Sequence, residues 1–185
     1  MELKKIAKYF GLGIILIIVV AFVGMGFIVY DVMSYTATNF ETLNPAENMT
    51  GSALVVYNPG VTGASKDAAA VIAKDLQANG YKVNLSGIRS TEAVTTSGYD
   101  IIVISGPIYA GKLSSATQSY LSNLKPSENT TIGIFTTSGG SGTAVVQKEI
   151  TLPSGKVIEI NDIMQLASGE DVNQKSAEFV DALLK

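Results

Sequence analysis

Cysteine and histidine are both absent from this chain of 185 residues. Without cysteine there can be no disulfide. Without histidine there is no Ser-His-Asp or Cys-His nucleophile, no usual zinc site and no haem held through an imidazole. Chemistry on such a chain has to be borrowed from a cofactor, and no cluster of residues suggests a metal. Charge is scarce as well: Asp, Glu, Lys and Arg make up 16% of the residues, with a formal net charge of -3 and a sequence pI near 4.9. Lys4, Lys5 and Lys8 precede an apolar segment, so the chain beyond that segment is more acidic than the whole. Nucleic acid is therefore a poor candidate partner.

The apolar segment, residues 10–30, holds no charged side chain. About 20 such residues at a rise of about 1.5 Å span the hydrocarbon layer, so residues 10–33 read as a transmembrane helix after a cytoplasmic N-terminus, residues 1–9. A cleaved signal peptide is the alternative, since Gly24-Met25-Gly26 loosely imitates a cleavage site. Against it, the apolar run continues through Phe27, Ile28, Val29 and Tyr30. The three lysines lie before the helix while Asp31, Glu41 and Glu47 lie after it, so the positive-inside rule predicts a single-pass protein of the cell membrane whose folded part is extracytoplasmic. Residues 34–52 read as a linker or stalk. Sequons at Asn48, Asn84 and Asn129 fit an exported domain but are expected by chance in a chain this rich in Asn, Ser and Thr.

From residue 53 onward, strand-like and helix-like patterns alternate. Short apolar runs at residues 53–57, 81–85, 99–105 and 131–136 have the profile of strands buried on both faces. Between the first two, Ala69, Ile72, Ala73 and Leu76 repeat at helical spacing, and Gly80 is a C-terminal stop. Residues 113–124 repeat the pattern with Ala116, Tyr120, Leu121 and Leu124 inward and Ser115 with Gln118 as a capping box. Ala177, Val180, Leu183 and Leu184 supply the inward face of a final helix. Such alternation implies an open parallel sheet with helices on both faces. Residues 149–160 instead read as strand, turn and strand, so a crossover helix there is short or missing.

Ligands of an open parallel sheet bind outside the carboxyl ends of its strands, so three loops matter most. The first, Asn58-Pro59-Gly60-Val61-Thr62-Gly63-Ala64-Ser65-Lys66, opens directly into a helix. Amides at that helix N-terminus, with the Thr62 and Ser65 hydroxyls, suit a phosphate; an ordinary turn with Ser65 as N-cap is the competing reading. The second, Gly106-Pro107-Ile108-Tyr109-Ala110-Gly111-Lys112, offers a tyrosine on which a flat ligand can stack, unless that tyrosine packs onto its own sheet. It also approaches the P-loop pattern, but Leu113 stands where a hydroxyl should meet magnesium. The third, Thr137-Ser138-Gly139-Gly140-Ser141-Gly142-Thr143, allows close approach through bare backbone.

Taken in order, these loops resemble those of the flavodoxin family over residues 53–142. The resemblance implies a flavodoxin-like domain over residues 53–185 with strand order 2-1-3-4-5, and FMN as a noncovalent cofactor. It assigns the phosphate to Gly60, Thr62, Gly63, Ala64, Ser65 and Lys66. The ring would lie between Pro107, Ile108, Tyr109, Ala110 and Gly111 on one side and Thr137, Ser138, Gly139, Gly140 and Ser141 on the other. The GPIYAG stretch is similar to that of membrane-associated flavodoxin-like quinone reductases and protoporphyrinogen oxidases, which implies a redox partner protein or a quinone. Asn58-Pro59 and Ala64 depart from the family's usual phosphate loop. The three loops also lack Asp and Glu, which predicts a higher reduction potential than a typical flavodoxin's. An electron carrier or flavin-dependent reductase is the implied function, against an ectodomain that has lost FMN and serves binding. A hydrolase built on Ser138 or Ser141 has only serine-rich loops behind it.

Overall fold

The computed structural model describes residues 2–34, 37–140 and 146–185. In chain order its elements are helix α1 (Glu2–Ser34), strands β1 (Phe40–Leu43) and β2 (Gly51–Tyr57), helix α2 (Ala64–Ala78), strands β3 (Tyr81–Gly87), β4 (Ile101–Tyr109) and β5 (Lys112–Leu113), helix α3 (Ser115–Ser122), strands β6 (Thr131–Ser138), β7 (Glu149–Thr151), β8 (Val157–Glu159) and β9 (Asp162–Ala167), and helix α4 (Val172–Leu183). Strands β3, β2, β4, β6 and β9 lie side by side and parallel, the 2-1-3-4-5 order the resemblance implies.

The alternation of side chains along each strand sorts the core into two layers. Ala53, Val55, Tyr57, Val103 and Phe135 face α2 and α4, whose Ala69, Ile72, Ala73, Leu76, Phe179 and Val180 cover them. Leu54, Val56, Ile102, Ile104, Ile132 and Ile134 face the other way. There α3 brings Leu121, and the β7–β8 hairpin brings Leu152 and Ile158. The hairpin thus stands in for a crossover helix: two short strands suffice because their inward residues reach the same apolar face. Each of these large side chains contributes about 1.5–3 kcal/mol by leaving water.

Several details differ from the sequence reading. Four residues of the presumed linker form β1, which pairs antiparallel with β3 from Phe40↔Ser86 to Leu43↔Val83 and covers the sheet edge. Strand β9 escapes the sequence pattern because all of its residues are half-buried and no alternation marks it. Helix α3 is capped by Ser114, whose hydroxyl accepts from the Thr117 amide, one residue before the expected Ser115; Gln118 reaches the Leu113 carbonyl instead. On α4 the inward face is Ser176, Phe179, Val180 and Leu183, with Ala177 exposed. Phe179 meets Phe135 edge to face, ring centroids 5.3 Å apart, against the space left by Gly133.

Helix α1 contains the stretch Tyr9–Tyr30, 22 residues of mean hydropathy 3.1, with its side chains unburied. By length and composition it suffices to cross a membrane.

Candidate functional site

Strand β2 delivers the first loop to the carboxyl end of the sheet. Asn58 is buried there: its amide donates to the Ser114 hydroxyl, and its Oδ1 accepts from the Gly60 amide. Gly60 has φ +67° and faces Pro107 and the Tyr109 hydroxyl so closely that a Cβ would stand 3.0 Å from each. Only glycine allows the two loops to close on each other here. Gly63, at φ +80°, caps α2, and its carbonyl accepts from the Lys66 and Asp67 amides. The Ala64 amide donates to the Thr62 hydroxyl. The amides of Thr62, Gly63 and Ser65 have no acceptor among the described residues. Ser65 does not cap the helix; its buried hydroxyl bonds Thr137 at 2.5 Å.

The second stretch is not a free loop. Strand β4 runs through Pro107, Ile108 and Tyr109, turns at Ala110 (φ +49°) and Gly111 (φ +78°), and returns as β5, pairing Ile108 with Leu113 and Tyr109 with Lys112. The turn needs positive φ at both positions, the two-residue hairpin geometry in which glycine and asparagine are favoured. A two-residue hairpin is not the strand–loop–helix cradle of a P-loop, which speaks against that reading. Ile108 turns onto the α3 side of the core, while Tyr109 reaches over the first loop and its hydroxyl accepts from the Val61 amide at 3.1 Å.

The third wall is the end of β6 and the residues just after it. Thr137 is buried; the Ser138 hydroxyl donates to the Gly140 carbonyl and accepts from Gln165. At Gly139 and Gly140 an added Cβ would meet nothing within 4 Å among the described residues, and neither has a positive φ. Ser141 lies outside the described residues.

These parts enclose a cavity of about 540 Å³. Of the sequence-predicted residues, Thr62, Ala64, Pro107, Tyr109, Thr137, Ser138 and Gly139 line it. Gly60, Gly63 and Lys66 face an adjoining hollow on the β3 side, and Ala110 and Gly111 a separate one beside α3. Ser65 lies beneath the floor, Ile108 in the core, and Gly140 just beyond the lining.

A fourth wall escapes the sequence pattern because β9 does: Leu166, Ala167, Ser168, Gly169 and Glu170 also line the cavity. The Glu170 carboxylate accepts from the Ala167 amide at 2.7 Å and pairs with Lys175 at 3.3 Å. The backbone bond first, then Lys175, holds its carboxyl below the usual range. Glu170 thus adds a carboxylate from a fourth segment, while the three loops themselves lack Asp and Glu. The turn Ser168-Gly169-Glu170-Asp171 after a half-apolar run was the available signal.

A family model described as a flavodoxin domain matches residues 54–174. No curated protein matches the sequence. Among solved structures, a metal-soaked flavodiiron core from Synechocystis sp. PCC6803 is similar at 18% identity and a TM-score of 0.54, over 75% of this chain and 35% of that one. This chain thus spans about a third of that protein's length. A flavodoxin from the domain Archaea is similar at 12% identity and a TM-score of 0.49, over 72% of this chain and 99% of that one. Flavodoxin 2 from Bacillus cereus is similar at 16% identity and the same TM-score, over 72% and 97%.

Proposed function

The chain belongs to the flavodoxin domain family, and from that premise we propose that it is a membrane-anchored flavoprotein. Its carboxyl-end cavity binds FMN, and it carries electrons or acts as a flavin-dependent reductase toward a redox partner protein or a quinone. The anchor is α1, with Lys4, Lys5 and Lys8 on the cytoplasmic side and the folded domain outside.

The observation that carries the reading is the convergence of sequence-distant loops on one cavity whose chemistry matches a phosphorylated planar ligand. Three amides at the start of α2 lack acceptors among the described residues, and a helix N-terminus favours an anion. The volume of about 540 Å³ lies within the range of cofactor sites. Gly139 and Gly140 are required neither by backbone conformation nor by packing against described residues, which suits close approach of a ligand to bare backbone. The residues present fit the cofactor.

When bound, the flavin supplies one- and two-electron transfer. The Thr62, Gly63 and Ser65 amides and the Thr62 hydroxyl would hold the phosphate where the cavity meets the adjoining hollow, with Lys66 adding positive charge from that hollow. Tyr109 would orient the ring from its side of the cavity, and Ser138 and Gly139 would bound it from theirs. Glu170 places a negative charge at the rim, which opposes electron addition; Lys175 offsets it in part.

The full chain purified in detergent should be yellow or take up added FMN, read from its visible spectrum and from quenching of flavin fluorescence. A colourless protein that takes up none would end the redox reading and leave the binding ectodomain.

A further inference from the structure

The shortness of the chain between α1 and the domain limits which end of the domain can face a membrane that α1 crosses. The Ala37 carbonyl accepts from the Arg89 amide and the Asn39 carbonyl from the Gly87 amide, both at 2.7 Å. Phe40 pairs with Ser86. The incoming chain is therefore clamped to the carboxyl end of β3, the same end of the sheet at which the cavity opens. Ala37, Thr38 and Asn39 share a hollow with Val61, Gly63 and Lys66 of the phosphate loop.

Only Tyr35 and Thr36 separate the end of α1 from Ala37. Three Cα steps reach at most about 11 Å. The four helical residues beyond Tyr30 add about 6 Å. The headgroup layer itself takes up about 5–8 Å on each side of the hydrocarbon. Ala37 thus lies within about 12 Å of the outer headgroup surface, too close for a stalk to lift the domain away. Two large apolar side chains stand out on this same end: Phe40, 43% exposed, and Val61, 58% exposed. Met49, 65% exposed, stands at the opposite end, and local charge is mixed, Lys66 and Arg89 against Glu41 and Asp67, so the short tether selects the face and Phe40 and Val61 supply its apolar contact.

We propose that the carboxyl end of the sheet docks on the headgroup layer of the bilayer that α1 crosses, with Phe40 and Val61 inserted and the cavity mouth at the lipid surface. The inference rests on the anchoring reading above and does not depend on which ligand fills the cavity. The opposite end, with Asn48, Glu128 and Asn129 exposed, then points away from the membrane.

The chain's lack of cysteine makes the test direct. Full-length F40C, V61C, N48C and E128C variants, each carrying one environment-sensitive fluorophore, are reconstituted in phosphatidylcholine vesicles containing a headgroup-nitroxide lipid. Circular dichroism verifies that each variant is folded, and two positions at each end guard against the loss of one. Quenching should be several-fold stronger at positions 40 and 61 than at 48 and 128. Equal or reversed quenching in protein that floats with the vesicles overturns the docking and leaves the anchor intact. Protein that does not float overturns both, and the flavin spectrum of the same samples reports separately on the cavity.

Discussion

The Tyr120 hydroxyl donates to the Ala93 carbonyl at 2.7 Å, stitching α3 to the segment after β3. Burial first, then the nearby Tyr99, raises its pKa; burial also raises that of Tyr57, against an opposing bond to Asn39. Both folded values lie above the unfolded value of 10.0, so their contribution is complete below that pH and is lost as pH rises beyond it. Denaturant titrations across pH should show a stability that falls on the alkaline side. Tyr120→Phe should cost about 1 kcal/mol at neutral pH and make that fall shallower. Gly139→Ala and Gly140→Ala should behave oppositely to a packing mutation. Neither Cβ meets a described atom, so stability should change by less than about 0.5 kcal/mol. FMN affinity, measured by fluorescence titration, should fall about tenfold, which corresponds to about 1.4 kcal/mol. At this scale residue type alone picks out Thr62, Tyr109 and Gly139, which stand around one cavity. Glu170 is illegible there because its significance comes from the strand before it.

That strand is a lesson at the scale of elements. β2, β4 and β6 each carry a short apolar run buried on both faces, a pattern readable without a structure. β9 mixes Asp162, Met164 and Gln165 with Ile163 and Leu166, since it closes an edge, and a half-buried edge imposes no clean period. The β7–β8 hairpin is legible from its Pro153-Ser154-Gly155 turn, whereas the α4 face lies one step from its sequence pattern, which leaves Phe179 out of the inward residues. The β4–β5 hairpin hides for another reason: its turn uses Ala110 where Asn or Gly is expected. A non-glycine residue at φ +49° is strained. Ala110→Asn should therefore stabilise the protein by about 0.5–1 kcal/mol, seen as a raised denaturation midpoint, without displacing Tyr109.

For the whole molecule, the boundary between anchor and domain falls earlier than composition suggests. Residues 37–43 are polar enough to pass for a tether, yet their backbone seals the β3 edge, which would otherwise present unpaired amides and carbonyls. A chain beginning at residue 37 should remain soluble and folded. One beginning at residue 51 should lose stability and associate through the bared edge, as light scattering and thermal denaturation would report. The cavity owes its shape to the same kind of stitching. Tyr109 to Val61 and Ser65 to Thr137 join positions 48 and 72 residues apart in the chain. Their ordering is completed when the protein folds, so an arriving ligand meets walls already assembled and loses little affinity to conformational entropy. Release of the ligand on heating should then coincide with global melting rather than precede it.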